Sequence, residues 1–448
     1  MKRSFVISAI ALLAAAAALR AENEPSATPK VIPATRPEIK KALEALKERT
    51  PRLPLTPSDG TGGVNNGRMR SQYIPAAWGS GGRSAPRQTA QAGGDARPRQ
   101  GNNGASMFDS VFTTSMFWVV SRGNNCHYCL GHQELKLKND GVEDDKIAAL
   151  DSDWSGFDPR LQSALAYTRK LTLEPQLVGD ADIAALKKQF TDPEIIALTL
   201  TIGRFNSTNR WTDGTGIPQD KAFTNRDANL LTPTSDKFRV TTSIVSPNTR
   251  AARPPLPTAA EFAAGISAAH ARQVRVALPS EADARQALAE VIGERAPLMW
   301  ERVFAVGGNT SQVRSWNTIM TDDNLPPRLK AELALVCAVN NRAWYAAAHA
   351  RQRLIELGAS PAELTSLLAG DARGPAGPVA AHALAAKSTA NPHLISDADI
   401  ANVRKHYSDA ETAMILHVVC QANMFDRVTE ALGLPLEDGI TAKASSAP

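Results

Sequence analysis

Cysteine is scarce, with four residues in a chain of 448. Cys337 and Cys420 stand alone, and no second CxxC and no HxxxH accompanies the one CxxC present. A closed structural zinc site needs four ligands, so that reading has little to build on. Haem attachment needs a histidine directly after the second cysteine, and Leu130 is there. Aromatic residues amount to 5%. No period-two strand run appears, and no strand–Gly-rich–helix unit, so a thioredoxin-like βαβ context is unsupported. The formal charge is +5, yet no Lys/Arg run interleaves with aromatics. No nucleic-acid footprint follows. Beyond the N-terminus no segment is apolar enough to span a membrane.

What is present favours helices. Apolar residues make up 43% of the chain and alanine is abundant. The length allows two or three domains. Lys2 and Arg3, an apolar run from Phe5 to Leu19 and a small residue at Ala21 read as a secretory signal over residues 1–21. The expected location is therefore periplasmic or secreted. A stretch from Ser58 to Ala105, rich in Gly, Pro, Arg, Gln and Asn, reads as poorly ordered. So does Lys221 to Pro257, punctuated by Pro233, Pro247, Pro254, Pro255 and Pro257, and the tail after Asp438.

The densest chemistry lies in Cys126-His127-Tyr128-Cys129-Leu130-Gly131-His132. On a helix Cys126 and Cys129 share a face one turn apart, and His132 follows a turn later. A thiol pair beside an imidazole can carry out dithiol–disulfide chemistry, because the proton decides whether a sulfur is nucleophilic. An inert structural disulfide is the alternative. An oxidising compartment would hold the pair as a disulfide until a partner reduced it.

The chain also repeats itself at an offset of 217 residues. Asp180-Ala181-Asp182-Ile183 recurs as Asp397-Ala398-Asp399-Ile400. Asn206, Arg210 and Gly216-Ile217-Pro218 recur as Asn423, Arg427 and Gly433-Leu434-Pro435. Tyr128 and His132 match Tyr345 and His349, but Cys126 and Cys129 become Ala343 and Ala346. A weaker echo at offset 223 relates Arg49 and Arg52 to Arg272 and Arg275. The period suggests duplicated domains, not a solenoid. Within a copy, Thr191 and Glu194 have capping-box spacing before an apolar helix. That helix continues into a polar stripe, Asn206, Asn209, Arg210 and Asp213, whose recurrence suggests internal hydrogen bonding at a seam.

These residues together resemble the carboxymuconolactone decarboxylase family, which includes the alkyl hydroperoxidase D-like proteins. Asn124-Asn125-Cys126-His127-Tyr128-Cys129 with His132 carries the resemblance, reinforced by Gly141-Val142 and by Asn206 to Pro218. It covers about 107–220 and, through the repeat, about 324–437. It implies an all-α fold of two tandem alkyl hydroperoxidase D-like helical domains, at 107–220 and 281–437. An N-terminal arm (22–106, partly disordered), a linker with a second arm (221–280) and a tail (438–448) complete the layout. It also implies a redox pair that reduces peroxides, with Cys129 peroxidatic, Cys126 resolving and His132 activating the thiol. Redox members place the histidine four residues after the second cysteine, where this chain has Gln133. Their upstream glutamate is here Thr114, with Glu134 as a stand-in acid.

The expected function is an exported thiol-dependent peroxidase or disulfide oxidoreductase. Its partners would be a thiol reductant and a peroxide or disulfide substrate, with a homo-oligomer possible and no cofactor or metal. The alternatives are a non-catalytic binding or scaffold protein with a structural disulfide, and a cofactor-free decarboxylase-like enzyme.

Overall fold

A computed structural model describes residues 31–56, 64–79, 107–219, 235–371 and 373–440. The expected signal segment lies outside the described residues. Among those described the secondary structure is helical, with eighteen α-helices, short 3-10 turns and no strand, so the fold is all-α.

In chain order the helices are α1 Arg36–Leu46, α2 Asn66–Tyr73, α3 Ser110–Gly123, α4 His127–Asn139, α5 Asp144–Ser152, α6 Pro159–Leu173, α7 Asp180–Leu186 and α8 Asp192–Thr215. Then come α9 Ala259–His270, α10 Glu281–Ile292, α11 Met299–Ala305, α12 Thr310–Thr321, α13 Pro327–Asn341, α14 Trp344–Glu356, α15 Pro361–Ala369, α16 Ala376–Ala390, α17 Asp397–Arg404 and α18 Asp409–Ala431.

Local chemistry sets the helix starts. Asp109, Asp158 and Ser408 are N-caps whose side chains accept the backbone N–H of Phe112, Leu161 and Glu411. At α8 the Thr191 N–H donates to Glu194 Oε2 at 2.8 Å, with Pro193 in the first turn, as the capping spacing predicts.

The repeat is visible in these boundaries. Each of α13 to α18 begins 217 residues after its counterpart among α3 to α8. Asn125 and Arg342, in register with each other, are the two non-glycine residues with positive φ among those described, each at 52°. Asn124 Nδ2 donates to Asn206 Oδ1 and Asn209 Oδ1 (3.0 and 3.1 Å). Asn341 Nδ2 donates to Asn423 Oδ1 and Asp426 Oδ2 (3.2 and 2.8 Å). The polar stripe is thus internal, and Arg210 reaches across to the Ser388 carbonyl at 3.1 Å.

The halves are held together by the long helices α8 and α18. A Cβ added at Gly203 would meet Val428 and Met424, and one at Gly214 would meet Leu416. Rising numbers on α8 meet falling numbers on α18, so the pair is antiparallel. Both hydrophobic clusters draw residues from both halves. One joins Trp118 and Ile195 to Tyr345 and Val428, the other Cys129 and Trp211 to Val418 and Cys420.

The arms are exchanged between halves. Arg52 Nε meets Asp397 Oδ1 at 2.5 Å, and Arg275 Nε meets Asp180 Oδ1 at 2.6 Å. Arg52 N donates to Thr215 O at 2.9 Å, and Arg275 N to Leu432 O at 3.0 Å. The weak echo at offset 223 is therefore a matched pair of arms, each gripping the long helix of its own half and an acid of the other.

Two stretches read as poorly ordered are built differently over part of their length. Residues 64–79 carry α2 and a 3-10 turn, with Met69 and Trp78 in the core. Residues 235–257 pack Val245 fully inside, and Ser243 donates to Asp151, a carboxylate that also holds Arg122 at 3.1 Å. Isolated large apolar residues among Gly and Arg anchor these segments where mean composition shows none. The rest of the first stretch and the tail beyond 440 lie outside the described residues.

Candidate functional site

The thiol pair sits at the turn between α3 and α4. Asn125 adopts the left-handed conformation, which asparagine tolerates better than most residues. The Cys126 N–H then closes onto Ser121 O at 2.8 Å, and Cys126 becomes the N-cap of α4. Cys129 lies in the first turn of α4. Both cysteines are free thiols, Cys126 fully buried and Cys129 3% exposed.

The two sulfurs flank one oxygen. Thr212 Oγ1, on α8, is 3.1 Å from Cys126 Sγ and 3.2 Å from Cys129 Sγ. That hydroxyl donates its proton to backbone carbonyls of α8, to Asn209 O at 3.0 Å and Thr208 O at 3.2 Å. Its lone pairs are then left to accept the S–H groups. Were one sulfur to ionise, the same hydroxyl could turn and donate to it.

Positive potential faces this place from two sides. The sulfurs sit at the N-terminal, positive end of the α4 dipole. Arg70, from α2, lies 4.9 Å over the Trp211 ring, beside Thr212. Burial holds the Arg70 guanidinium below its ordinary value, and the nearby Cys420 and Cys129 sulfurs act in the opposite sense. His417, on α18, stacks against Trp78 at 5.8 Å and meets Trp211 edge-on at 5.9 Å. Burial, and then Arg70, push it well below its ordinary value, so it is neutral. Neither of its ring nitrogens has a partner among the described residues.

The other two cysteines are unsuited to exchange. Burial pushes the Cys420 thiol up to about 12 and the Cys337 thiol higher still. Among the described residues no group of three His, Cys, Asp or Glu is placed to hold a metal.

His132 is placed a turn beyond Cys129. Its Nδ1 lies 2.8 Å from Tyr128 O, and its ring lies 4.3 Å from that of Tyr128. It lines a cavity of about 560 Å³ with Thr113, Thr114, Gln133 and Arg204. The sulfurs lie off that lining. Thr114 is buried on the cavity wall with no partner for its hydroxyl. Glu134 does not stand in for that acid. Its carboxylate is bound by Arg36 at 3.0 and 3.1 Å, and it accepts the Trp118 indole N–H at 2.6 Å.

Three participants escape sequence reasoning. Thr212 lies between Arg210 and Asp213 of the polar stripe, and its spacing marks no partner on another helix. Arg70 lies in a stretch read as poorly ordered, although Met69 and Trp78 nearby were a usable signal. His417 has no counterpart in the first half, where Leu200 stands, and only the packing of α18 brings it against Trp78 and Trp211.

In the second half the same turn is kept without sulfur. Ala343 caps α14 with φ −88° and ψ 87°, against −83° and 91° at Cys126. No protein-family model and no curated protein matches the chain.

Proposed function

We propose that this is an exported thiol-dependent peroxidase or disulfide oxidoreductase, working through Cys129 and Cys126. The observation that carries the reading is the convergence of both sulfurs on Thr212 Oγ1 at the N-terminus of α4, beside Arg70. Reactive thiols need positive surroundings and a partner thiol within reach. The resemblance to alkyl hydroperoxidase D-like proteins supports the same assignment.

In this reading the Cys129 thiolate attacks the terminal oxygen of a hydroperoxide. An S–O bond forms, the O–O bond breaks, and the alkoxide leaves with a proton that His132 relays from the cavity side. Cys126 then attacks the sulfenic sulfur, an S–S bond forms and water leaves. An external dithiol reduces the disulfide and is itself oxidised. The residual exposure of Cys129, against none at Cys126, favours Cys129 as the attacking sulfur.

A second reading is a non-catalytic helical protein whose thiols only pack. The near-complete burial of both sulfurs favours it. One experiment separates the two. Reduced protein is mixed with hydrogen peroxide or cumene hydroperoxide in the presence of dithiothreitol, and peroxide loss is followed. Cys129→Ser should abolish turnover, and Cys126→Ser should leave a sulfenate on Cys129 that a dimedone probe captures. Wild-type protein that neither consumes peroxide nor exchanges with dithiols leaves the packing reading.

A further inference from the structure

The second half lacks sulfur at its counterpart of the thiol site, yet it holds a cavity of about 310 Å³ there. Ala346, in register with Cys129, and His349, in register with His132, both line it. Its lining differs between the halves, since the counterpart cavity beside His132 is bordered by Phe117 and Phe205. In the first, Phe117 and Phe205 stack face to face, 4.0 Å between centroids and 2° between planes. Their counterparts are Ala334 and Ala422, and both border the cavity.

The second-half cavity has aromatic walls of its own. Trp316 stacks on Phe425 at 5.1 Å and 17°, and Trp300 meets Phe425 edge-on at 5.3 Å. These rings hold one another in place, so the walls are formed before any ligand arrives. A volume of this size lies at the lower end of small-molecule sites and suits about one ring with small substituents.

One polar group is oriented on the lining. His349 Nε2 lies 2.9 Å from Glu437 Oε2. Glu437 Oε1 accepts from Tyr345 Oη at 2.6 Å and from Met299 N at 2.8 Å. Burial works to raise the Glu437 carboxyl, but His349, Tyr345 and Met299 together hold it below its ordinary value, so it is charged. A carboxylate only accepts, so Nε2 carries a proton, and in the neutral imidazole Nδ1 keeps a lone pair. No described residue bonds that Nδ1, whereas His132 Nδ1 is engaged by Tyr128 O. The charged groups nearby are spoken for. Arg353 is paired with Glu356 at 3.2 Å. Asp426 is pushed up to about 8 by burial, so it is mostly neutral at pH 7. The cavity therefore asks for a neutral, flat ligand with one hydroxyl donor.

We propose that the second half binds a small phenol in this cavity, its ring among Trp300, Trp316 and Phe425 and its hydroxyl donating to His349 Nδ1. The site is separate from the thiols and does not rest on their chemistry.

The test is calorimetry on the full-length protein with phenol and with toluene, which matches its shape without the hydroxyl. Wild-type protein should bind phenol about tenfold tighter than toluene, as one satisfied buried hydrogen bond implies. His349→Ala should erase that preference while toluene binding stays. Ala346→Phe should refill the space and abolish both, with far-UV circular dichroism confirming the fold. Absence of phenol binding up to millimolar concentration overturns the proposal, as does a phenol preference that survives His349→Ala. Undiminished binding by a folded Ala346→Phe does so too. If that variant fails to fold, the His349→Ala comparison decides alone.

Discussion

Arg36 and Glu134 form a two-pronged ion pair at 3.0 and 3.1 Å, with both side chains almost wholly buried. The pair ties the N-terminal helix α1 to the helix that carries the thiols. Glu134 Oε1 also takes the Trp118 indole proton. Breaking a buried pair by removing one partner strands the other charge and costs about 3–5 kcal/mol. Glu134→Gln should therefore lower the unfolding free energy by about that amount in urea titration. If Glu134 instead served as a catalytic acid, the substitution would spare stability and slow turnover.

Thr212 and Arg70 are the groups best placed to act on the sulfurs. Thr212→Val keeps the shape and removes the shared hydroxyl. Arg70→Met keeps the apolar stem and removes the charge. Each should slow peroxide oxidation or iodoacetamide alkylation of the reduced thiols by about tenfold, equivalent to ~1.4 kcal/mol. Stopped-flow rates with mass-spectrometric assignment of the modified cysteine measure this. Rates equal to wild type in both variants would detach these residues from the site.

The crossing of α8 and α18 depends on a missing side chain. A Cβ at Gly214 would collide with Leu416 Cδ2, and Leu416 is fully buried. Gly214→Ala should overpack the crossing and destabilise by about 1–3 kcal/mol, offset in part by the better helix propensity of alanine. Gly141, with open space around it, has φ 82°, so an alanine there tests backbone strain and not packing. Thermal melts of the two variants should part company on adding Leu416→Ala, which should relieve only Gly214→Ala.

Asp426 is a buried carboxyl raised to about 8 by burial, despite the Asn341 amide that donates to it. A carboxyl whose folded value exceeds its unfolded value binds its proton more tightly in the native state. Its contribution to stability is fully present below about pH 4 and is lost as pH rises through about 8. The first half places Asn209 at this position, where the amide oxygen accepts from Asn124 at 3.1 Å. Asp426→Asn should accordingly flatten the fall in melting temperature between pH 4 and 8. A pH profile parallel to wild type would place the titrating group elsewhere.

Much of the architecture could be read in the residues. Thr191 and Glu194 announced the start of α8, and the recurrence of Asp180 to Ile183 located the duplication. The stripe of Asn206, Asn209 and Arg210 pointed to an internal seam, because polar residues repeated at helical spacing are costly unless they meet partners. Composition misled over 64–79, where Met69 and Trp78 bury themselves among residues that average as polar. Glu134 also misled, since a carboxylate near His132 in sequence points elsewhere in space.

The sequence by itself determined what local physics controls: helix starts and stops, the register of the two copies, and a thiol pair in the first turn of a helix. Those follow from caps, φ preferences and spacing within a few residues. The tertiary structure decided which groups meet. Thr212 reaches the sulfurs from more than 80 residues away, and Arg70 and His417 reach the Trp211 ring from an arm and from the opposite half. The cavity at His349 is bordered by two alanines where the first half stacks Phe117 on Phe205. Such meetings leave no period in the chain, because they are set by how α8 and α18 cross and not by any neighbouring residue.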